Sequence, residues 1–194
     1  MTTHTRRLPD WMKTPLPSGK DYITVKNLAA KQQLNTICVS GNCPNKAECW
    51  GAATASFMIL GEKCTRNCRF CDVKNMIPDN VDLGEPLRLA ETIQALKIKH
   101  CVITSVARDD LDDGGAAFWA LTIRTIKALN PDVTIETLIP DFYARPELIQ
   151  QIADAGPEVI SHNIETAERL TRQVRIQAKY RRSMTRLRLI VLTA

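Results

Sequence analysis

From residue 56 onward the chain alternates short apolar runs with amphipathic stretches of helical length, a pattern that restricts it to a parallel sheet built from βα units. The strand-like runs are Ser56–Leu60, His100–Val106, Val133–Ile139 and Val159–Ile164. The segments between them are long enough for the crossover helices that parallel neighbours require. Pro86 stands where a first-turn proline belongs, and Leu87, Ile93, Leu96 and Ile98 follow near helical spacing. Ala116–Leu129 and Pro146–Ala155 read likewise, the latter stopped by Gly156-Pro157. The 194 residues suit one domain with an appendage, divided here into an extension over 1–55 and a βα unit series over 56–194.

Six of the seven cysteines fall into two triplets, Cys38/Cys43/Cys49 and Cys64/Cys68/Cys71. An odd total in short local spacings argues against a disulfide framework and for thiolates kept reduced as metal ligands. Cys101, in the run Cys101-Val-Ile, reads as a buried small hydrophobe. The second triplet has the spacing Cys-x3-Cys-x2-Cys, which offers three thiolates to a cubane iron-sulfur cluster that takes four ligands and so leaves one iron open. Two structural zinc sites are the competing reading, each needing a borrowed histidine. Only His4, His100 and His162 exist, and zinc ribbons pair Cys-x2-Cys knuckles, a spacing found here once, between Cys68 and Cys71.

In a barrel or open parallel sheet the functional site forms at the C-terminal edge of the strands. Cys64–Cys71 lies in the loop after the first strand, and later strands deliver Thr104-Ser105 with Arg108-Asp109-Asp110, then Asp141, then His162–Glu165 to the same edge. Period-two alternation puts Ser161, Asn163 and Glu165 on one face of the fourth strand, where they fit a cavity for a polar ligand. Gly114-Gly115 allows either close backbone approach to a ligand or a plain helix-start turn. Residues 169–194 carry eight Lys/Arg and no Asp/Glu, which leaves the preceding residues at a net −3. Without interleaved aromatics beyond Tyr180, that end reads as a solvated helix face and not as a nucleic-acid surface. No window approaches the ~20 apolar residues of a membrane span, and Met1–Lys13 lacks the apolar core of a secretory signal, so a cytoplasmic address is expected.

The stretch Cys64-Thr-Arg-Asn-Cys68-Arg-Phe-Cys71, with an aromatic before its last cysteine, resembles the signature of radical S-adenosylmethionine enzymes. The flanks resemble one family of them, the lipoyl synthases. They are Arg7-Leu-Pro-Asp-Trp11-Met-Lys13, the segment Leu34–Gly51 around the first triplet, Ser105–Gly115, Leu138-Ile-Pro-Asp-Phe142 and Ser161-His-Asn-Ile-Glu-Thr166, all in order from about Arg7 to Tyr180.

The resemblance implies a partial parallel (β/α) barrel of the radical SAM type, incomplete at the C-terminus, with an N-terminal cluster-binding extension. It implies two 4Fe-4S clusters and S-adenosyl-L-methionine as cofactors. The open iron of the Cys64/Cys68/Cys71 cluster would chelate S-adenosylmethionine and reduce it to a 5′-deoxyadenosyl radical, chemistry that a cofactor must supply. The auxiliary cluster on Cys38/Cys43/Cys49 would be consumed as sulfur donor. The reaction implied is insertion of two sulfur atoms at carbons 6 and 8 of an octanoyl chain attached to a lysine. The partners implied are octanoylated lipoyl carrier domains of 2-oxoacid dehydrogenase complexes, the glycine cleavage H protein, and a reductant such as flavodoxin or ferredoxin, with no nucleic acid and no membrane. Asn163 and Glu165 would touch the ribose or methionyl part of the cofactor, and Arg175 its carboxylate. The alternatives are another radical SAM enzyme with an auxiliary cluster, such as a methylthiotransferase, or a non-catalytic metal-binding protein.

Ala53, Ser56 and Ile176 stand where the family commonly has Gly, Thr and Pro. Family members also run on beyond the position of Ala194, and from Ser183 the text drifts from theirs, so Ser183 is given no ligand role. A chain truncated in this way is expected to turn over poorly, to leave an unpaired sheet edge and to self-associate.

Overall fold

The computed structural model describes residue 9, residues 19–51 and residues 54–193. Apart from Pro9, the Arg7–Lys13 motif lies outside the described residues, as do His4 and Ala53. The N-terminal part holds α1 (Lys20–Lys31), β1 (Asn35–Thr36), α2 (Ile37–Ser40) and α3 (Lys46–Gly51). It is followed by β2 (Ser56–Ile59), the short β3 (Lys63–Cys64) and β4 (Lys74–Asn75), α4 (Glu85–Leu96), β5 (His100–Ser105) and α5 (Ala116–Leu129). Then come β6 (Thr134–Leu138), a single 3-10 turn (Phe142–Ala144), α6 (Pro146–Ala153), β7 (Val159–Ser161), α7 (Glu168–Val174) and α8 (Tyr180–Thr193).

The sheet order is β1-β2-β5-β6-β7, with β2, β5, β6 and β7 parallel and β1 antiparallel at the edge. Successive parallel strands are neighbours and the order never reverses, the singly wound arrangement of a barrel segment and not of a doubly wound sheet. The alternation along each strand explains the two layers. Phe57, Ile59, Cys101, Ile103 and Ile135 are buried and join Leu89, Ile93, Trp119, Ile123, Ile126 and Ile149 of α4, α5 and α6 in one core. Ser56, Met58, Val102, Thr104 and Leu138 point the other way and line a cavity. The segment before residue 56 shares that core through Val25, Cys38 and Trp50. The sheet is therefore the wall between a hydrophobic layer and a hollow.

The four strands and three helices expected from sequence all form. Helix α5 starts where Asp113 accepts the backbone N–H groups of Gly115 and Ala117, both at 2.8 Å. Gly115 has φ +88°, and a Cβ there would stand 2.6 Å from Leu60 Cδ1, so this glycine serves the helix start and its packing. Cys101 is fully buried, as expected.

Two expectations are corrected. The sequence predicts a fourth strand over Val159–Ile164, but β7 ends at Ser161. Beyond it Arg175 Nη1 takes the carbonyls of Asn163 (2.8 Å) and Ile164 (3.2 Å), so these acceptors serve a side chain instead of a ladder, and Glu165 turns to φ +67°. The basic end is not wholly a solvated face. Arg181 and Arg188 are exposed, but Arg186 is completely buried, with its guanidinium 5.0 Å from the Phe142 ring. Among the described residues β7 pairs only with β6, so its far edge is free, and Val159 on it is 42% exposed.

Candidate metal centre

Strand β2 ends in a tight reversal, with Leu60 at φ +68° and Gly61 at φ +92°, that throws the chain into the cysteine loop above the sheet. Glu85, buried at the start of α4, holds this reversal by accepting the Leu60 N–H at 2.9 Å, while Arg108 Nη1 reaches the Leu60 carbonyl at 3.5 Å. Burial pushes the Glu85 carboxyl up to about 7, against the Leu60 hydrogen bond that favours its charge.

The loop is fixed from both ends. Thr65 N–H bonds the Ala107 carbonyl (3.1 Å), Arg69 N–H bonds the Val174 carbonyl (3.0 Å), and Cys68 forms an antiparallel bridge with Arg175. Cys64, Cys68 and Cys71 consequently line one cavity of about 370 Å³ at the C-terminal edge of the parallel strands. Met58, Val102, Leu138 and Ile139 form its apolar floor, and Ile37, the neighbour of Cys38, borders the same space. Asn163, Glu165 and Arg175 stand in its wall, so the structure brings these three predicted residues together with the three thiols. Ser161, predicted to share their face, instead lies within 3.3 Å of Glu136 Oε1 through its hydroxyl.

His162 also borders the cavity, but both ring nitrogens are committed. Nδ1 donates to the Ile139 carbonyl (2.9 Å) and Nε2 accepts from the Ser183 hydroxyl (2.9 Å). Burial brings its pKa down to about 4, so it is neutral near pH 7 and has no lone pair free for a metal. His162 therefore offers this triplet no ligand, His100 stands at the opposite end of β5, and His4 lies outside the described residues.

Three groups missed by sequence reasoning shape the site. Arg66, inside the cysteine loop and 7% exposed at its side chain, donates Nε and Nη2 to both oxygens of Asp109 (2.7 Å each) and Nη2 to Asp141 (2.8 Å). Burial opposes its charge, yet the two carboxylates outweigh that and hold its pKa above the usual value, while Asp109 and Asp141 lie below theirs. Tyr143 donates its hydroxyl to Asp109 at 2.8 Å, and Thr65 donates to the same carboxylate at 3.0 Å. Arg66 could have been flagged by its place between Cys64 and Cys68; nothing local marks Tyr143.

In the first triplet, Cys43 N–H bonds the Cys38 carbonyl at 3.2 Å, which draws the segment into a compact loop packed on the core. Burial raises the Cys49 pKa, and repulsion from Cys38 and Cys43 raises it further. Burial likewise raises Cys68, against the opposing charge of Arg175. Crowded thiols that resist ionisation are a donor set suited to a positively charged partner, which relieves the repulsion. Among the described residues no three His, Cys, Asp or Glu side chains converge on the position of a single ion. The second triplet surrounds a hollow instead, as suits a cluster in which each thiolate meets a different iron. Among the described residues Arg175 Nε is buried at that wall without a hydrogen-bond partner, a donor suited to an anionic ligand group.

A family model described as the radical SAM superfamily matches residues 58–191. The lipoyl synthase of Flavobacterium johnsoniae is 56% identical over 180 residues, covering 93% of this chain and 62% of that protein. The mitochondrial lipoyl synthase of Nematostella vectensis is 54% identical with the same coverage. The lipoyl synthase of Parabacteroides distasonis is 50% identical over 98% of this chain and 67% of its own length. The chain thus spans a little under two thirds of the first of these relatives. The crystal structure of methylornithine synthase superposes with a TM-score of 0.56 at 12% identity, over 88% of this chain and 52% of that one, a likeness of fold.

Proposed function

Because the chain belongs to the radical SAM superfamily and within it to the lipoyl synthase family, we propose that it serves sulfur insertion at carbons 6 and 8 of a lysine-bound octanoyl chain, yielding lipoyl-lysine. The observation that carries this reading is the single cavity in which Cys64, Cys68 and Cys71 face Asn163, Glu165 and Arg175 across an apolar floor. When bound, two 4Fe-4S clusters supply the electron that cleaves S-adenosylmethionine and the sulfur that is inserted.

The chain's own residues divide the remaining work. Cys64, Cys68 and Cys71 would hold the first cluster, and Cys38, Cys43 and Cys49 the auxiliary one. Arg175 clamps the Asn163 and Ile164 carbonyls, which sets Asn163 and Glu165 at the cavity wall to bind the ribose or methionyl part of the cofactor, while its Nε suits the cofactor carboxylate. Met58, Val102, Leu138 and Ile139 exclude water and accept an alkyl chain. Octanoylated lipoyl carrier domains or the H protein would present that chain, a flavodoxin or ferredoxin would deliver electrons, and the work would take place in the cytoplasm.

The test is mass spectrometry of an octanoyl-lysine peptide incubated anaerobically with the reconstituted protein, S-adenosylmethionine and a reductant. The expected product carries two sulfur atoms in place of two hydrogens. Cleavage of S-adenosylmethionine with methylthiolation of another substrate, and none of the octanoyl peptide, would overturn the reading.

A further inference from the structure

The hydrogen bonds around Cys64 are set by contacts distant in sequence. Its sulfur accepts the backbone N–H of Ala107 at 3.3 Å and of Arg66 at 3.4 Å. Neither donor is held by the cysteine loop alone. Thr65 ties Ala107 to the loop by donating its N–H to the Ala107 carbonyl (3.1 Å); its one hydroxyl proton is shared between that carbonyl and the Asp109 carboxylate (3.0 Å each), and its oxygen accepts the Asp109 N–H at 3.1 Å. Arg66 anchors the next residue by its bidentate pair with Asp109 and its bond to Asp141, itself fully buried. The end of β5, the end of β6 and the cysteine loop are therefore fastened at one point, two residues from the thiol they serve.

We propose that Thr65 and Arg66 are positioning residues that aim the Ala107 and Arg66 N–H groups at the Cys64 sulfur and thereby raise the midpoint potential of the cluster held there. The physical basis is that N–H donors withdraw charge from a ligating thiolate, which stabilises the reduced, more negative cluster, so losing them makes the cluster harder to reduce. The inference rests on the reading that Cys64, Cys68 and Cys71 hold a cluster.

The experiment is an anaerobic potentiometric titration, followed by electron paramagnetic resonance on the signal that changes when S-adenosylmethionine is added. The parent chain is compared with Thr65→Val, Thr65→Ser and Arg66→Lys, with iron content and circular dichroism measured on each. Thr65→Val changes no charge and Arg66→Lys keeps one, so a shift in either reports geometry and not a lost neighbouring charge. Thr65→Val and Arg66→Lys are expected to load iron like the parent but titrate at a lower potential. A tenfold change in the reduction equilibrium would appear as about 59 mV for a one-electron couple. Thr65→Ser, which keeps the hydroxyl, should titrate with the parent. Loaded variants with the parent's potential would overturn the inference, as would folded variants that simply lose iron. Should Arg66→Lys unfold, the Thr65 pair decides alone. Failure of the underlying cluster reading is distinguishable, because the parent itself would then hold no iron.

Discussion

Replacing Arg186 by Met should stabilise this protein, which is the reverse of what most substitutions at a buried position do. The Arg186 side chain is completely buried, and its Nε, Nη1 and Nη2 have no hydrogen-bond partner among the described residues. Burial brings its pKa down to about 9, with attraction to Asp141 only partly offsetting it. The drop from the usual arginine range to about 9 corresponds to a ceiling of about 5 kcal/mol. Against this, Met forfeits the cation–π contact with Phe142, worth about 1–2 kcal/mol, while keeping a sulfur–aromatic contact; the attraction to Asp141 is already contained in the net drop. The net expectation is a gain of up to about 3–4 kcal/mol, or a rise in Tm of roughly 6–16 °C for a chain of this size. The pH dependence supplies an internal check. Between about 9 and the usual arginine value the unfolded chain binds more protons at this position than the folded one, so the penalty is full below pH 9 and fades above it. The advantage of Arg186→Met by thermal melting should therefore be constant near pH 7–8 and shrink toward pH 11. A lowered Tm, or an advantage independent of pH up to 11, would refute the reasoning.

Glu85→Gln keeps an acceptor for the Leu60 N–H without the charge. Because the folded pKa of about 7 lies above the unfolded value, charging Glu85 weakens the fold as pH rises from about 4.5 to 7, so the variant should match the parent near pH 4.5 and exceed it by up to about 3 kcal/mol above pH 7 in denaturant melts. Gly115→Ala must adopt φ +88° and displace Leu60, and should lose about 2 kcal/mol by urea unfolding; an unchanged midpoint would remove the packing role given to this glycine. Asp141→Asn deprives Arg66 of a fully buried ionic partner and should cost about 3 kcal/mol by the same assay, a loss that disappears at pH values low enough to protonate the parent's depressed carboxylate.

The sequence carries the parts of this site that are local. Cysteine spacing marks both triplets, and strand and helix periodicity places Cys64–Cys71, Asp141 and Asn163 at one sheet edge because a parallel βα series puts every strand end on the same side. What is illegible depends on contacts between distant residues. Arg66 reads as one more basic residue until Asp109 and Asp141, 43 and 75 positions away, are brought to it. Asn163 and Glu165 reach the cavity for a reason unlike strand alternation, since Arg175 engages the backbone there and ends the ladder. The burial of Arg186 is illegible because a basic run suggests solvent, while α8 packs this side chain against the turn at Phe142 and lies on α6.

The most direct test of the central claim is iron and acid-labile sulfide content of the anaerobically reconstituted chain, with Cys64→Ala and Cys38→Ala variants measured beside it. Two four-iron clusters predict about eight irons with matching sulfide, and a loss of about half in each variant. Bound zinc, or iron that neither substitution reduces, would contradict the assignment of the two triplets.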